Sequence, residues 1–383
     1  MATAICAEVE GAINSERCGK SMRAKRDVSS PTHVSPRTRN EECTNRPVDP
    51  SDEKRSQLVN QVYNHIAKYA RPDDKAAIFY MSSSLALYVT LFLGAAFYRG
   101  QYESLIRTIL VLICGITRTR MFVIMHDMAH HSFFTSQRMN AVCATLIGAL
   151  VWTPYSGWKR GHDYHHRHSN NTDRKQWAQT APLTVDQFRA LPWWGQWIYR
   201  FAYGPITLCT TTPWIYFVIL QRYMSKWYEN LLVVVYWSAI FCGDIWLVPQ
   251  ITGETGAWRL VVTDFWTTAI GASLGLFLFH IQHSFEGAYK APDAEYSRFE
   301  NGMRGSSYLI VPEWLKFFTA AIEYHHIHHL NTRVPFYRLR QCQEESGTLF
   351  SGVPTFTLAQ AFARLHYSLR DDAKRTFMSC YSQ

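Results

Sequence analysis

Histidine is the residue type in this chain that points most directly to chemistry. Of its 16 histidines in 383 residues, thirteen lie between His126 and His329. They form three clusters, at residues 126–131, 162–168 and 325–329, with a further pair at His280 and His283. Neutral imidazole is the commonest side-chain ligand of transition metals. The first prediction is therefore a metal site.

The spacing inside the clusters supports this prediction. His126 and His130 are four residues apart, and the other two clusters each contain H-x-x-H-H. These spacings place the rings on one face of a helix. One such motif is more often a surface or core feature, but a repeated pair indicates metal binding. Nine imidazoles would supply four or five ligands to each of two metals: His126, His130, His162, His165, His166, His283, His325, His328 and His329.

Other residues beside these histidines are weaker candidates. An all-nitrogen shell suits iron, zinc or copper rather than magnesium or calcium. Four histidines lie off the repeating faces and could support the ligands or lie at the surface: His131, His168, His280 and His326. Three acids could accept a proton from a ligand imidazole and so select its tautomer, although a solvated or helix-capping role is equally compatible: Asp127, Asp163 and Glu286.

Several other classes of site are excluded by the motifs that the sequence lacks. It has no H-E-x-x-H of a zinc protease, and a single E-x-x-H beginning at Glu323 is too little for a ferritin-like di-iron site. It has no G-x-x-x-x-G-K-S/T and no G-x-G-x-x-G, so no directly bound nucleotide is expected. The nine cysteines form no C-x-x-C pair and are typical of reduced thiols.

Four apolar stretches must position the histidines. They cover residues 76–98, 105–125, 230–249 and 258–279, and each is long enough to cross a bilayer. They pair into two hairpins with short turns, and basic residues concentrate outside those turns. The positive-inside rule therefore places both termini and the middle segment in the cytoplasm. We predict an all-α integral membrane protein with four transmembrane helices and a cytoplasmic helical cap, residues 126–200 and 280–345, that carries a histidine-ligated di-metal site.

The rest of the chain completes the domain plan. Residues 1–52 are predicted as a disordered polar tail, residues 53–345 as the main domain and residues 346–383 as a C-terminal cytoplasmic tail. Residues 201–220 contain Pro205 and Pro213 and indicate an interfacial or broken helix. The mean hydropathy of −0.17 is then the average of four apolar spans and a polar cap.

The net positive charge is attributed to the membrane topology of the chain. The 39 Lys and Arg against 30 Asp and Glu give a net charge of +9, and no nucleic-acid motif accompanies it. We interpret it as positive-inside bias, with no nucleic-acid partner. The first residues lack a secretory signal, and their acids argue against a transit peptide. The endoplasmic reticulum is therefore favoured, and a plastid or prokaryotic membrane is also compatible.

The three histidine clusters resemble the histidine boxes of the membrane fatty-acyl desaturases. The boxes are H-D-x-x-H-x-S-F-F at His126–Phe134, G-W-x-R-x-H-x-x-H-H at Gly157–His166, and H-H-x-H-H-L followed by R-x-P-x-Y at His325–Tyr337. Residues 282–286 and 305–308 are most similar to the omega-6 (delta-12) acyl-lipid branch. One departure is His131, where many members carry Gly or Arg.

The resemblance covers roughly residues 70–345 and implies a reaction. In this family nine histidines hold two irons, and the nine positions above match them. The implied reaction introduces a cis double bond into a long acyl chain with O₂ and two electrons, with delta-12 desaturation of an oleoyl chain as the specific expectation. The acyl carrier would be a lipid or coenzyme A. Because the chain has no H-P-G-G haem motif, electrons would come from a separate cytochrome b5 or ferredoxin.

The acyl chain should lie in an apolar tunnel that reaches the metals. Four aromatic residues could line it, although an ordinary core or interfacial role is more common for any one of them: Trp152, Trp158, Trp177 and Phe318.

Two alternatives remain open at the level of sequence. One is a sister di-iron enzyme on the same scaffold, such as a hydroxylase, epoxygenase, acetylenase or sphingolipid desaturase. The other is a non-enzymatic metal-binding membrane protein or transporter.

Overall fold

The computed structural model describes residues 50–174 and 182–382. Residues 1–49 of the predicted tail therefore lie outside the described residues, and so does Trp177. All described residues belong to one compact unit, Pro50–Gln383.

This unit is mainly helical. Its α-helices are α1 Pro50–Ala67, α2 Asp74–Phe97, α3 Glu103–Ala129, α4 Gln137–Leu150, α5 Tyr155–His168, α6 Val185–Arg189, α7 Trp193–Ala202, α8 Pro205–Cys209, α9 Thr211–Trp214, α10 Gln221–Tyr223, α11 Trp227–Thr252, α12 Arg259–His283, α13 Arg298–Arg304, α14 Glu313–Thr319, α15 His325–Leu330, α16 Phe336–Glu344 and α17 Leu358–Phe362.

Four of these helices correspond to the predicted spans. Helices α2, α3, α11 and α12 are long and apolar enough to cross a membrane, by length and composition. Helix α3 continues past the predicted end of the span at residue 125, through His126 to Ala129. Helix α12 likewise continues past residue 279 to His283. Both extensions carry predicted ligands on the ends of rigid helices.

Helices α3 and α12 pack closely because small residues face each other. A Cβ added to Gly115 would lie 2.6 Å from the Cβ of Ile270, and one added to Gly271 would lie 3.1 Å from the carbonyl oxygen of Gly115. Small residues permit this approach of helices whose environment is apolar. The close packing brings His126 and His283, each in the last turn of its helix, to the same end of the bundle.

A buried polar network connects the four long helices. Arg118 Nη1 donates to Asp264 Oδ1 at 2.6 Å and to the Tyr88 hydroxyl at 3.2 Å. The Tyr236 hydroxyl donates to the same Asp264 oxygen at 2.7 Å. The Arg118 and Asp264 side chains are only 3% and 4% exposed. One residue from each long helix therefore contributes to a single paired charge network inside the bundle.

The segment 201–220 is a broken helix, as predicted. Helix α8 begins at Pro205, and α9 contains Pro213 and leads into a π-helix at Ile215–Leu220. Proline removes a backbone donor and limits the preceding turn, which accounts for the succession of short elements. π-Helical turns are frequent at functional sites, and Tyr216 and Phe217 of this turn line the cavity described below.

The C-terminal segment is folded rather than extended away from the domain. Strand β1, Tyr308–Ile310, pairs in parallel with β2, Thr355–Thr357. Strand β3, Tyr367–Asp371, pairs antiparallel with β4, Thr376–Ser379, and a 3₁₀ turn at Cys380–Ser382 follows. Leu369 and Phe377 are buried. This segment buries apolar side chains that alternate with polar ones, a pattern that is too short to stand out in the sequence.

Candidate metal centre

Four helical segments supply the nine predicted ligands. His126 lies in the last turn of α3 and His130 immediately follows that helix. Helix α5 carries His162, His165 and His166. The remaining four come from the end of α12 and from α15: His283, His325, His328 and His329.

The structure brings all nine together and divides them into two adjacent groups. The first group is His126, His130, His162, His166 and His328, and the second is His165, His283, His325 and His329. Within each group one ring nitrogen per residue lies within 4.8 Å of all the others. Each H-x-x-H-H motif therefore contributes to both groups, which helical spacing alone does not reveal.

The distances between ring nitrogens fit metal coordination. In the second group, His283 Nε2 lies 2.8 Å from His325 Nε2 and 3.1 Å from His165 Nε2. In the first group, His166 Nε2 lies 3.0 Å from His328 Nε2. Metal–imidazole bonds of about 2.1 Å at right angles put neighbouring nitrogens about 3 Å apart. The nine residues therefore fit two transition-metal ions.

The protonation state of the rings is suited to the same task. Burial, with smaller contributions from neighbouring imidazoles, lowers the pKa of His166, His325 and His328 well below the usual value. Burial also lowers the pKa of His130 in this way. A neutral ring keeps one nitrogen lone pair, and that lone pair is what a metal binds.

Two hydrogen bonds select which nitrogen faces the centre. His126 Nδ1 lies 3.0 Å from Asp127 Oδ1, while its buried Nε2 has no hydrogen-bond partner among the described residues. His283 Nδ1 lies 3.2 Å from the carbonyl oxygen of Gly305. In both residues the proton on Nδ1 is held by an acceptor, and Nε2 is left for coordination.

The other predicted residues lie in different environments, and none of the histidines among them belongs to either group. Asp163 accepts a hydrogen bond from Lys159 Nζ at 2.7 Å, and the exposed Glu286 accepts one from the Tyr367 hydroxyl at 3.1 Å. His131 is half-buried, has a φ of 55° and lies outside both groups. The three remaining histidines also lie outside the two groups: His168, His280 and His326.

Asp127 is the acid whose position most clearly supports the centre. Besides its contact with His126, its Oδ2 accepts a hydrogen bond from the backbone N–H of Phe336 at 2.6 Å. Asp127→Asn would turn an amide N–H₂ towards one of these two donors. Loss of such a supporting acceptor typically costs 10–100-fold in metal affinity or activity.

We therefore expect Asp127→Asn to lower retained metal and activity by about 10–100-fold. Metal content after dialysis against a chelator and the turnover of the same preparation measure both effects. Asp163→Asn is the matched control, because its carboxylate pairs with Lys159. Equal losses in the two variants would contradict the role of Asp127.

Several supporting residues are not predictable from histidine spacing. The Gly305 carbonyl and the Phe336 N–H are backbone groups and carry no side-chain signal. Trp158 stacks on His162 with ring centroids 4.5 Å apart and an interplanar angle of 18°. Trp158 lies in the G-W-x-R-x-H motif, Phe336 in R-x-P-x-Y and Gly305 in residues 305–308, so the family resemblance is the sequence signal for these contacts.

A mostly apolar cavity opens beside the histidines. Its wall includes Phe122, Leu276 and Phe279 together with His126 and His325. Of the aromatic residues considered for a tunnel, Trp158 lines this cavity. Trp152 instead packs 4.7 Å from Trp237, and Phe318 packs 5.2 Å from Phe317, between ring centroids.

Comparison with known proteins agrees with this geometry. The fatty acid desaturase family model matches residues 104–352. A fatty acid desaturase of Bacillus subtilis is 30% identical over 339 residues, which cover 85% of this chain and 91% of that protein.

More distant relatives have more specific names. An sn-1 oleoyl-lipid 12-desaturase of Synechocystis is 26% identical over 59% of this chain and 64% of its own length. A chloroplastic omega-6 fatty acid desaturase of Arabidopsis thaliana is 26% identical over 60% of this chain and 51% of its own length. With the four apolar helices, these matches indicate a membrane protein. The chain belongs to the fatty acid desaturase family and is an oxidoreductase.

Proposed function

We propose that this protein introduces a cis double bond at the delta-12 position of an oleoyl chain to form a linoleoyl chain. The observation that carries this proposal is the apolar cavity that opens directly on the two histidine groups. Relatives named as oleoyl-lipid 12-desaturases and omega-6 desaturases support the position of the double bond.

We propose two irons as the metals, five histidines holding one and four holding the other. The bound iron pair supplies the oxidising chemistry that removes hydrogen from an unactivated methylene, which no side chain achieves by acid–base catalysis. The histidines act as ligands and not as general bases. Their burial and their fixed Nε2 positions keep the two coordination shells in place.

The overall reaction balances with one O₂. Two adjacent methylenes lose one hydrogen atom each, and O₂ takes up these two atoms with two electrons and two protons to form two waters. The sequence contains no H-P-G-G haem motif. The electrons are therefore assigned to a separate donor, cytochrome b5 or a ferredoxin.

The cavity walls account for the orientation of the acyl chain. Phe122, Val123 and Leu276 offer only hydrocarbon contacts, so burial of each methylene there gains about 0.8 kcal/mol. Gly275 also faces this cavity, and a Cβ added to it would meet no atom within 4 Å. An acyl chain in this cavity would lie against these apolar walls, beside His126 and His325.

We propose the cytoplasmic side of the membrane for the metal centre and both termini. The basic residues outside the turns of the two hairpins support this orientation. The proposed location is the endoplasmic reticulum, and a plastid or a prokaryotic membrane is the alternative.

Expression in yeast, which makes oleate, tests the reaction. We expect a new 18-carbon diene with its second double bond at delta-12, identified by gas chromatography and mass spectrometry of derivatives. A hydroxy or epoxy acid would instead support a sister enzyme on the same scaffold. Unchanged lipids, together with zinc rather than iron in the purified protein, would overturn the enzymatic proposal.

A further inference from the structure

A second cavity lies on the other side of Phe279. Phe279 is the wall residue that it shares with the apolar cavity. It also borders the second histidine group through His165 and His283. The ring of Phe279 lies 5.0 Å from that of His165 and 5.4 Å from that of His283, between centroids. The two cavities therefore meet at the metal centre.

The second cavity contains a buried amine without a hydrogen-bond partner. Lys290 is only 4% exposed, and its Nζ makes no hydrogen bond within the described parts of the chain. The contact that the amine does make is with the face of Phe377, whose ring centroid lies 3.3 Å from Nζ. Burying an ammonium group is costly unless it is paired, and a cation–π contact offsets only part of that cost. The site is electrostatically incomplete.

A second cation lines the same cavity. Arg370 Nη2 donates to Asp372 at 3.1 Å, while the buried Arg370 Nε makes no hydrogen bond within the described residues. Asp372 also lines the cavity, and its Oδ1 is buried without a partner. Asp372 is the one carboxylate among the described residues that line this cavity, while the neighbouring Asp371 lies 3.7 Å from Lys374. Burial, with a smaller contribution from Arg370, lowers the pKa of Lys290 to about 7, and the nearby carboxylates of Asp372 and Asp371 offset only part of this effect.

We propose that this pocket binds a phosphate group, the phosphodiester of the headgroup of the acyl lipid that is desaturated. Lys290 Nζ and Arg370 Nε donate to the phosphate oxygens, and Asp372 Oδ1 accepts from a hydroxyl or ammonium group of the same headgroup. The inference rests on the proposed function and specifies its acyl carrier as a phospholipid.

The position of the pocket favours a lipid headgroup over a free phosphate ion. Phe279 lies between the pocket and the apolar cavity, so a lipid with its headgroup at Lys290 would place its acyl chain past this ring, beside His165 and His283. A site for a free phosphate ion would not need to lie against the hydrocarbon cavity. The pocket and the cavity together match an amphipathic molecule with one anionic end.

Binding of short-chain lipids to the purified, iron-loaded protein in neutral detergent tests the proposal. The probes are dioctanoylphosphatidylglycerol, dioctanoylglycerol and inorganic phosphate, and the readout is the shift in the thermal unfolding midpoint with probe concentration. We expect the phospholipid to bind at least about tenfold more tightly than the diacylglycerol, since a charge-assisted hydrogen bond to a buried cation contributes about 1.5–3 kcal/mol.

Variants separate the pocket from general stability. Lys290→Met should abolish the preference for the phospholipid and leave diacylglycerol binding unchanged, while Lys290→Arg should retain the preference. Arg364→Met is the matched control, because Arg364 lies over Phe356, 4.3 Å from the ring centroid, outside the cavity. The Arg364→Met variant should bind phospholipid and diacylglycerol as the unmodified protein does.

Three results would overturn the inference. They are equal binding of phospholipid and diacylglycerol, a preserved preference in Lys290→Met, and a phosphate effect as large as that of the phospholipid, which would indicate a free-anion site. Failure of the proposed function is distinguishable, because it appears as the absence of a diene from yeast expressing the unmodified chain. Phospholipid binding itself does not depend on that result.

Discussion

Alanine at His328 is expected to reduce the diene product of the expressed protein at least about 100-fold, to below detection. His328 Nε2 lies 3.0 Å from His166 Nε2 in the first histidine group. Its loss would remove one nitrogen from the proposed five-histidine coordination shell and leave a buried space beside the proposed metal. Because changes in residues that merely support a ligand cost 10–100-fold, loss of a ligand should cost more.

His165→Ala tests the second group in the same way. We expect a similar loss of product, and in both variants the iron content per chain should fall below that of the unmodified protein. His366→Ala is the control, because its ring packs on Tyr367 outside both groups. Retention of more than about a tenth of the product in His328→Ala would contradict its assignment as a ligand.

The substitution Asp264→Leu is expected to cause the largest loss of stability. The substitution leaves Arg118 without its carboxylate partner in the interior of the helical bundle. Removing one partner of a buried ion pair costs about 3–5 kcal/mol. Tyr236 loses its hydrogen-bond acceptor in the same step. The free energy of unfolding in detergent and the amount of folded protein recovered from membranes measure this effect.

A double variant shows whether the cost arises from the unpaired charge. Arg118→Met combined with Asp264→Leu removes both charges and should recover much of the lost stability, because apolar replacement of a whole buried pair is often tolerated. Glu295→Leu, which breaks an exposed pair with Arg375, should have little effect. A double variant no more stable than Asp264→Leu would contradict this explanation.

The charge network also illustrates a limit of sequence interpretation. Asp264 and Arg118 are visible in the sequence as isolated charges within apolar stretches, and their separation of 146 residues carries no signal of pairing. Only packing of the four helices brings the carboxylate, the guanidinium and two tyrosines together. The same holds for Lys290, whose burial depends on Phe377 in a distant strand.

The sequence by itself determined the family, the four apolar helices and the nine histidines, because these depend on local properties. Helical spacing sets which rings share a face, and run length sets which segments can cross a bilayer. The tertiary structure alone decided how the nine rings divide into groups of five and four. It also placed the apolar cavity and the Lys290 pocket on either side of Phe279. These features arise from contacts between elements far apart in the chain, and residue type and spacing along one element contain no information about such contacts.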